Sequence, residues 1–423
     1  MFKKIVSMAL VALTLVAILA SCGTGSTAKK GESAEILPRQ TVTSSVTIPS
    51  DFKIGLITLH DENSTYDKNF IDAFKQTVEA LGISKDNYFV VSNIAEGEAC
   101  YNTAVDLVKN KGCKVVFADS FGHESYMIQA AKEFPNVQFC HATGTQSKVV
   151  KLANYHNAFA SIYEGRYLAG IAAGEKLNEM ISAGKITADQ AVIGYIGAFT
   201  YAEVVSGLTS FFLGARSVCP SATMKVRYTG SWYDQGKEQE AAIALIDKDK
   251  CVLISQHADS LGAPVACEER GVPNVSYNGS TYSAGKNTWL VSSAINWAPY
   301  FKYIIESTVQ GKAFDTDWCG TIATNSVVLS GLNQDVVTAN TEKAIKDAIA
   351  ALNAGTLHVF DTSKWTLNGE HLTSYLADVD GDYVGETNVI HDGYFDESNA
   401  KDFRSAPYFD IIIDGIENLN TAF

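Results

Sequence analysis

From residue 52 onward the chain alternates short apolar runs with amphipathic stretches, and it does so twice. Phe52-Lys53-Ile54-Gly55-Leu56-Ile57-Thr58, Tyr88-Phe89-Val90-Val91, Cys113-Lys114-Val115-Val116-Phe117-Ala118 and Val137-Gln138-Phe139-Cys140-His141 read as buried strands. Between them, 66–81, 102–109 and 123–134 read as helices; Phe70, Phe74, Val78 and Leu81 share one face of the first. Buried strands separated by helices imply a parallel sheet covered on both faces, because parallel neighbours need a crossover. The pattern then recurs, with strands at 191–196, 222–228, 251–254, 275–277 and 290–293. Helices are expected over 202–218, 236–246, 263–270 and 299–309. A chain of 423 residues, 46% hydrophobic, is long for one domain and sufficient for two cores. The expected fold class is α/β: two doubly wound Rossmann-like lobes with a C-terminal extension.

Between the halves lies 154–176, which reads as a helix because Ile162, Leu168, Ile171 and Ala172 recur without alternation. Ser161, Gly165, Ala169 and Ala173 step by four along it, which stacks small residues on one face. Each interior glycine costs about 1 kcal/mol relative to alanine. Close approach to a strand or a second helix is the compensation expected.

The N-terminus carries a processing signal. Lys3 and Lys4 precede an apolar run over 5–18, and Leu19-Ala20-Ser21-Cys22 matches a bacterial lipobox. Residues 1–21 are therefore expected to be removed and Cys22 to receive lipid, anchoring the chain to the membrane. Residues 22–46, rich in Gly, Ser, Thr and Lys, read as a flexible tether. The net charge of −14 becomes more negative when Lys3 and Lys4 leave, which argues against nucleic-acid partners. Eight cysteines include Cys22; the other seven show no C-x-x-C spacing and read mainly as core residues.

In open α/β sheets ligands sit outside the carboxyl ends of the strands. The residues there are aromatic, with uncharged or acidic polar groups between them: Tyr66, Asp119, Phe121, Phe199, Trp232, His257, Asp259, Asn278 and Trp297. Lys and Arg are almost absent. Flat apolar faces with a few hydrogen-bonding groups suit a neutral planar ring and do not suit a phosphate. His257, Asp259 and Ser260 would also permit hydrolytic chemistry, but no G-x-S-x-G elbow frames Ser260 and no His pair has metal-ligand spacing. No catalytic residue, cofactor or metal is expected. Asp378-Val379-Asp380-Gly381-Asp382 resembles half a calcium loop, yet Tyr383 and Val389 stand where such a loop needs Gly and Glu.

Several segments carry a family resemblance, in order, across roughly 50–330. Glu164-Gly165-Arg166-Tyr167-Leu168-Ala169-Gly170 resembles the "EGxYLAG" helix of the basic membrane protein family. The stretch 60–70 is similar to its "D-x-S-F-N" ligand loop, 192–197 to its "VGFVGG" strand, and Gly230-Ser231-Trp232-Tyr233-Asp234 to its "GSW-D" turn. Gln256-His257-Ala258-Asp259-Ser260 and Trp297-Ala298-Pro299-Tyr300-Phe301 resemble a subgroup's "QHTDS" and "WGPYY". The resemblance implies a type I periplasmic-binding-protein fold and a lipoprotein subunit of an ABC importer. Its partners would be permease subunits and a purine nucleoside or nucleobase, and it would act as a monomer outside the cytoplasm. A sugar-like neutral ligand is the alternative. Family members that bind nucleosides carry a Lys that holds the ribose; Ser293-Ala294-Ile295-Asn296 contains none, which favours a free base. The expected division is lobe one from 47–155 plus 283–312, lobe two from 156–282 plus 313–335, and an extension over 336–423.

Overall fold

The computed structural model describes residues 30–397 and 402–423. The leader and Cys22 lie outside the described residues. The first half runs β1 (Ile54–Ile57), α1 (Thr65–Ala80), β2 (Tyr88–Val91), α2 (Glu98–Asp106), β3 (Val115–Ala118), α3 (Glu124–Glu133), β4 (Gln138–Ala142), α4 (Ser147–Val150) and β5 (Tyr155–Ala160). The second runs α5 (Ile162–Ser182), β6 (Val192–Gly197), α6 (Ala202–Val218), β7 (Thr223–Tyr228), α7 (Gln235–Asp247), β8 (Leu253–His257), α8 (Gly262–Arg270), β9 (Asn274–Tyr277) and β10 (Trp289–Ile295). Then come α9 (Ala298–Gln310), β11 (Asp317–Gly320), β12 (Val327–Leu329) and α10 (Thr341–Asn353). The rest of the extension holds four two-residue strands, β13 (Leu376–Ala377), β14 (Thr387–Asn388), β15 (Ile390–His391) and β16 (Tyr394–Phe395), and finally β17 (Ile416–Asn418).

Two sheets result, one per lobe. The first has the order β11-β5-β4-β3-β1-β2 and is parallel throughout. The second has the order β12-β10-β9-β8-β6-β7-β17, with only the β10–β12 pair antiparallel. The doubly wound α/β expectation holds. The lobe assignment needs three corrections. β10, expected in lobe one, pairs with β9 in the second sheet. The turn at 280–285 is thus a crossover loop inside lobe two, and the chain changes lobes after β10 at Asn296-Trp297. β11, expected in lobe two, is an edge strand of the first sheet beside β5. Finally, 155–160 is a strand of the first sheet, and the helix begins only at Ile162. A strand buried on both faces shows no alternation, so periodicity cannot separate it from an adjoining helix.

The small residues of α5 answer the packing problem on two faces. A Cβ on Gly165 would press on Val327 and Ser293 of the second sheet. On the opposite side, a Cβ on Gly170 or Gly174 would run into the carbonyls of Phe211 and Ala215 in α6. Gly214 of α6 returns the contact against the backbone of Tyr167. The two helices meet backbone to backbone.

The tether expectation is corrected over its described residues. Residues 30–40 lie along the second sheet's edge: Leu37 exchanges backbone hydrogen bonds with Leu329, and Gln40 N donates to Asn325 Oδ1 (2.8 Å). Ile36, Leu37 and Val42 pack on the core. β12 is an edge strand with unpaired backbone groups, and three apolar side chains suffice to hold a segment against it. Of the seven cysteines described, six are buried and Cys319 is half-buried.

Candidate ligand-binding cleft

Both sheets point their carboxyl ends into one cleft. β1 delivers the loop that starts α1. Ser64 caps that helix, its side chain accepting from Asp67 N, and Asp67 in turn accepts from His60 N (2.7 Å) and Ser64 Oγ (2.6 Å). Burial works to raise the Asp67 pKa, but the bonds from His60 and Ser64 prevail and hold it below the ordinary value. Asp67 therefore stands as a buried negative charge at the mouth of β1.

Asp119 follows β3. It is fully buried, with Oδ1 accepting from Leu59 N (3.1 Å) and Oδ2 lacking any protein donor. Burial first, and the charge of Asp67 second, push its pKa well above the carboxylate range. Asp259 follows β8 in lobe two. Its Oδ1 accepts from Asn278 Nδ2 (3.2 Å), and burial together with Asp67, Glu238 and Glu203 raises its pKa likewise. Asn278 holds a left-handed φ of +65°, a conformation that asparagine tolerates better than most residues.

The lobes touch across the cleft. Thr65 of α1 donates its backbone N–H to the Asp259 carbonyl (2.9 Å), and its hydroxyl lies 3.2 Å from the same oxygen. Phe121 meets Tyr201 at 5.6 Å between ring centroids, and His60 meets Tyr233 at 5.2 Å. The cavity left between them is about 20 Å³, close to the minimum for one water, so the lobes stand nearly closed on each other. Tyr66, Phe121, Trp232, His257 and Asp259 line it, as the sequence led us to expect. Asp119 sits just behind, its backbone carbonyl accepting from Tyr66 OH (2.7 Å). Phe199 supports the wall: it stacks on Tyr201 at 5.0 Å and meets Trp232 edge-on at 5.0 Å. Asn278 acts through Asp259.

Trp297 is the exception. It is buried in the core of lobe one, stacked on Phe70 at 4.2 Å with Phe117 and Phe159 around it, and does not line the cleft. The chain crosses between lobes at this residue, and a large ring at a crossing packs into a core as readily as into a cleft. Sequence reading missed His60, Asp67, Thr143, Glu203 and Tyr277, which also line the cavity. Thr143 lies just past the end of β4, a strand end from which no site residue was read. Glu203 is hidden in the first turn of α6, and Tyr277 reads as an ordinary strand residue.

Beneath the lobe-two wall lies Arg166, fully buried. It donates to Tyr195 OH and to Gln256 O (3.1 Å), and its guanidinium lies 4.7 Å from the ring centroid of Tyr277. Burial, reinforced in the same direction by Arg166, lowers the pKa of His257, although Glu203 at 3.6 Å opposes the shift. The wall behind the ligand space is thus cationic, whereas its rim is anionic.

Two α/β lobes that close on an aromatic cavity at their strand ends define a receptor for a small molecule. The chain belongs to the family described as ABC transporter substrate-binding protein, PnrA-like, which matches residues 54–354. It is 32% identical over 330 residues to a purine-binding protein of Brucella abortus, covering 73% of this chain and 87% of that one. It is 25% identical over 380 residues to the nucleoside-binding ABC transporter protein BmpA of Lactococcus lactis, covering 83% and 95%. A Haloferax volcanii protein provisionally named as a glucose-binding ABC transporter protein is 33% identical over 237 residues, covering 56% and 55%. The fold is that of solved solute-binding proteins. One from Conexibacter woesei has a TM-score of 0.56 at 20% identity, over 73% of this chain and 98% of that one. Among the described residues, no helix is long and apolar enough to cross a membrane.

Proposed function

We propose that this substrate-binding protein captures a purine nucleobase or nucleoside in the cleft and presents it, from a lipid anchor at Cys22, to ABC permease subunits as a monomer. One observation carries the ligand class: Asp119, fully buried behind an aromatic-walled cavity, keeps an oxygen with no protein donor. A flat ring between Phe121 and Trp232 would bring N–H groups of its edge toward that oxygen. In its ionised form the carboxyl would accept from a ring N–H or an exocyclic amine; burial and the neighbouring Asp67, to which the protonated form hydrogen-bonds, both favour the protonated form. An unmatched partner leaves a buried polar group unsatisfied at roughly 1–3 kcal/mol, which selects among purines. The Brucella abortus and Lactococcus lactis relatives support the same class. The Haloferax volcanii relative keeps a sugar-like ligand as the second reading.

Calorimetry on the delipidated protein with adenine, guanine, hypoxanthine, their nucleosides, and a panel of sugars and amino acids tests the ligand class. A purine response is expected, weakened in Asp259→Ala; a sugar response without one contradicts the reading. For the anchor, Cys22→Ala should leave the protein unprocessed or shed from membranes. If that variant fractionates and matures like wild type, Cys22 is not lipidated.

A further inference from the structure

The cleft does not end at its rim. A second chamber of about 320 Å³, open to solvent, adjoins the inner cavity, and Phe121, Thr143 and Glu203 line both. Its outer wall is the C-terminal extension, which contributes Asp378, Tyr383, Arg404 and Asp410. This wall lies outside residues 54–354, the part matched by the family.

The extension is fixed against both lobes. On lobe one, Gln146 Nε2 donates to Gly381 O (2.6 Å), and Asn157 Nδ2 lies 3.2 Å from Ser405 Oγ. On lobe two, β17 pairs with β7, and Thr200 N donates to Ala422 O (2.8 Å). Tyr375 and Asp410 are joined through the Tyr375 hydroxyl.

Two features of this chamber are not explained by folding alone. Arg404 is 8% exposed and its Nε has no acceptor; its other contacts are Pro407 O (3.3 Å), Asp378 (3.7 Å) and the Tyr408 ring. Thr143, at the junction of the two spaces, has a φ of +68°. For a β-branched residue that is an outlier, and such strain persists where surrounding structure imposes it, often at ligand sites.

We propose that the C-terminal extension completes the binding site, and that the outer chamber receives the hydroxyl-bearing sugar of a nucleoside whose base occupies the inner cavity. This inference rests on the purine reading above and narrows it. Carboxylates of Glu203, Asp378 and Asp410 are acceptors for sugar hydroxyls, and the Arg404 guanidinium is a donor for a ring or hydroxyl oxygen. Three carboxylates against one guanidinium leave the chamber anionic, which repels a phosphate.

The test compares each base with its own nucleoside by calorimetry, using the full mature chain. Wild type should bind the nucleoside more tightly than the base and should not bind the nucleoside 5′-monophosphate. Asp410→Asn and Tyr383→Ala change exposed side chains, so the fold should persist. Each should lower nucleoside affinity, the former by about tenfold for a lost charged hydrogen bond, while base affinity stays at the wild-type value. Equal loss for base and nucleoside, or no loss for either, overturns the subsite while leaving the purine reading intact. If wild type binds no purine at all, the purine reading fails and the sugar subsite with it.

Discussion

The segment matched by the family and the extension that follows it are held together by different means. In the body, α5 and α6 approach until glycines touch the opposing backbone, and two parallel sheets set the direction of every strand end. In the extension, regular structure after α10 amounts, among the described residues, to one 3₁₀ turn and strands of two or three residues. Its order comes from large buried rings: Phe360 stacks on Phe409 at 4.2 Å, and Trp365 meets Phe409 at 5.9 Å. Those rings belong to the same continuous core as α5, α6 and both sheets. Periodicity organises one region and burial the other, yet both fold onto one core.

If the core is continuous, damage to either region should reach the whole. Phe409→Ala removes the centre of the extension's ring cluster and should cost about 3–5 kcal/mol. Gly214→Ala forces the helices apart at the tightest point of the body and should cost up to about 3 kcal/mol. Both should lower one shared cooperative transition in a thermal melt followed by circular dichroism. A separate early transition in Phe409→Ala alone would show that the extension unfolds independently, and the comparison would break.

A smaller effect separates the regions by pH. Burial raises Glu164 and Glu238 of the body to about 7 and Glu397 of the extension to about 8. For a raised carboxyl, stability is fully present below the unfolded value near 4.5 and is lost as pH rises through the folded value. His123 and His156, lowered to about 4 by burial, act in the opposite sense, but only below about 6.5. From pH 6.5 to 8 the carboxyls should therefore dominate, and stability should fall by on the order of 1 kcal/mol per unit. Glu397→Gln should flatten the upper part of that decline and Glu164→Gln the lower part. Melting temperatures that rise over this range would contradict the assignment.

The same contrast explains what could be read from the sequence. Alternating strands and helices gave the two-lobe α/β class, and reading strand ends located Tyr66, Phe121, Trp232, His257 and Asp259 around the cavity. Lobe membership after residue 280 was not legible, because the apolar run of β10 could pair in either sheet and β11, only Asp317–Gly320, carries no strand pattern; pairing alone assigns both. Trp297 was misplaced for a related reason: sequence shows that a ring stands at a crossing, and packing decides which way it turns. The extension's part in the cleft was illegible too. Asp378, Arg404 and Asp410 come to line one chamber with Phe121 and Tyr201 only through loops without periodicity.

The central claim is that the inner cavity, aromatic-walled and backed by the buried Asp119, holds a purine ring. The most direct measurement is mass spectrometry of the small molecules released on denaturing protein purified gently from its own cells. The account predicts a purine nucleoside or base at close to one per chain, depleted in protein carrying Asp259→Ala. A sugar or an amino acid released in that proportion, with purines absent, would contradict it.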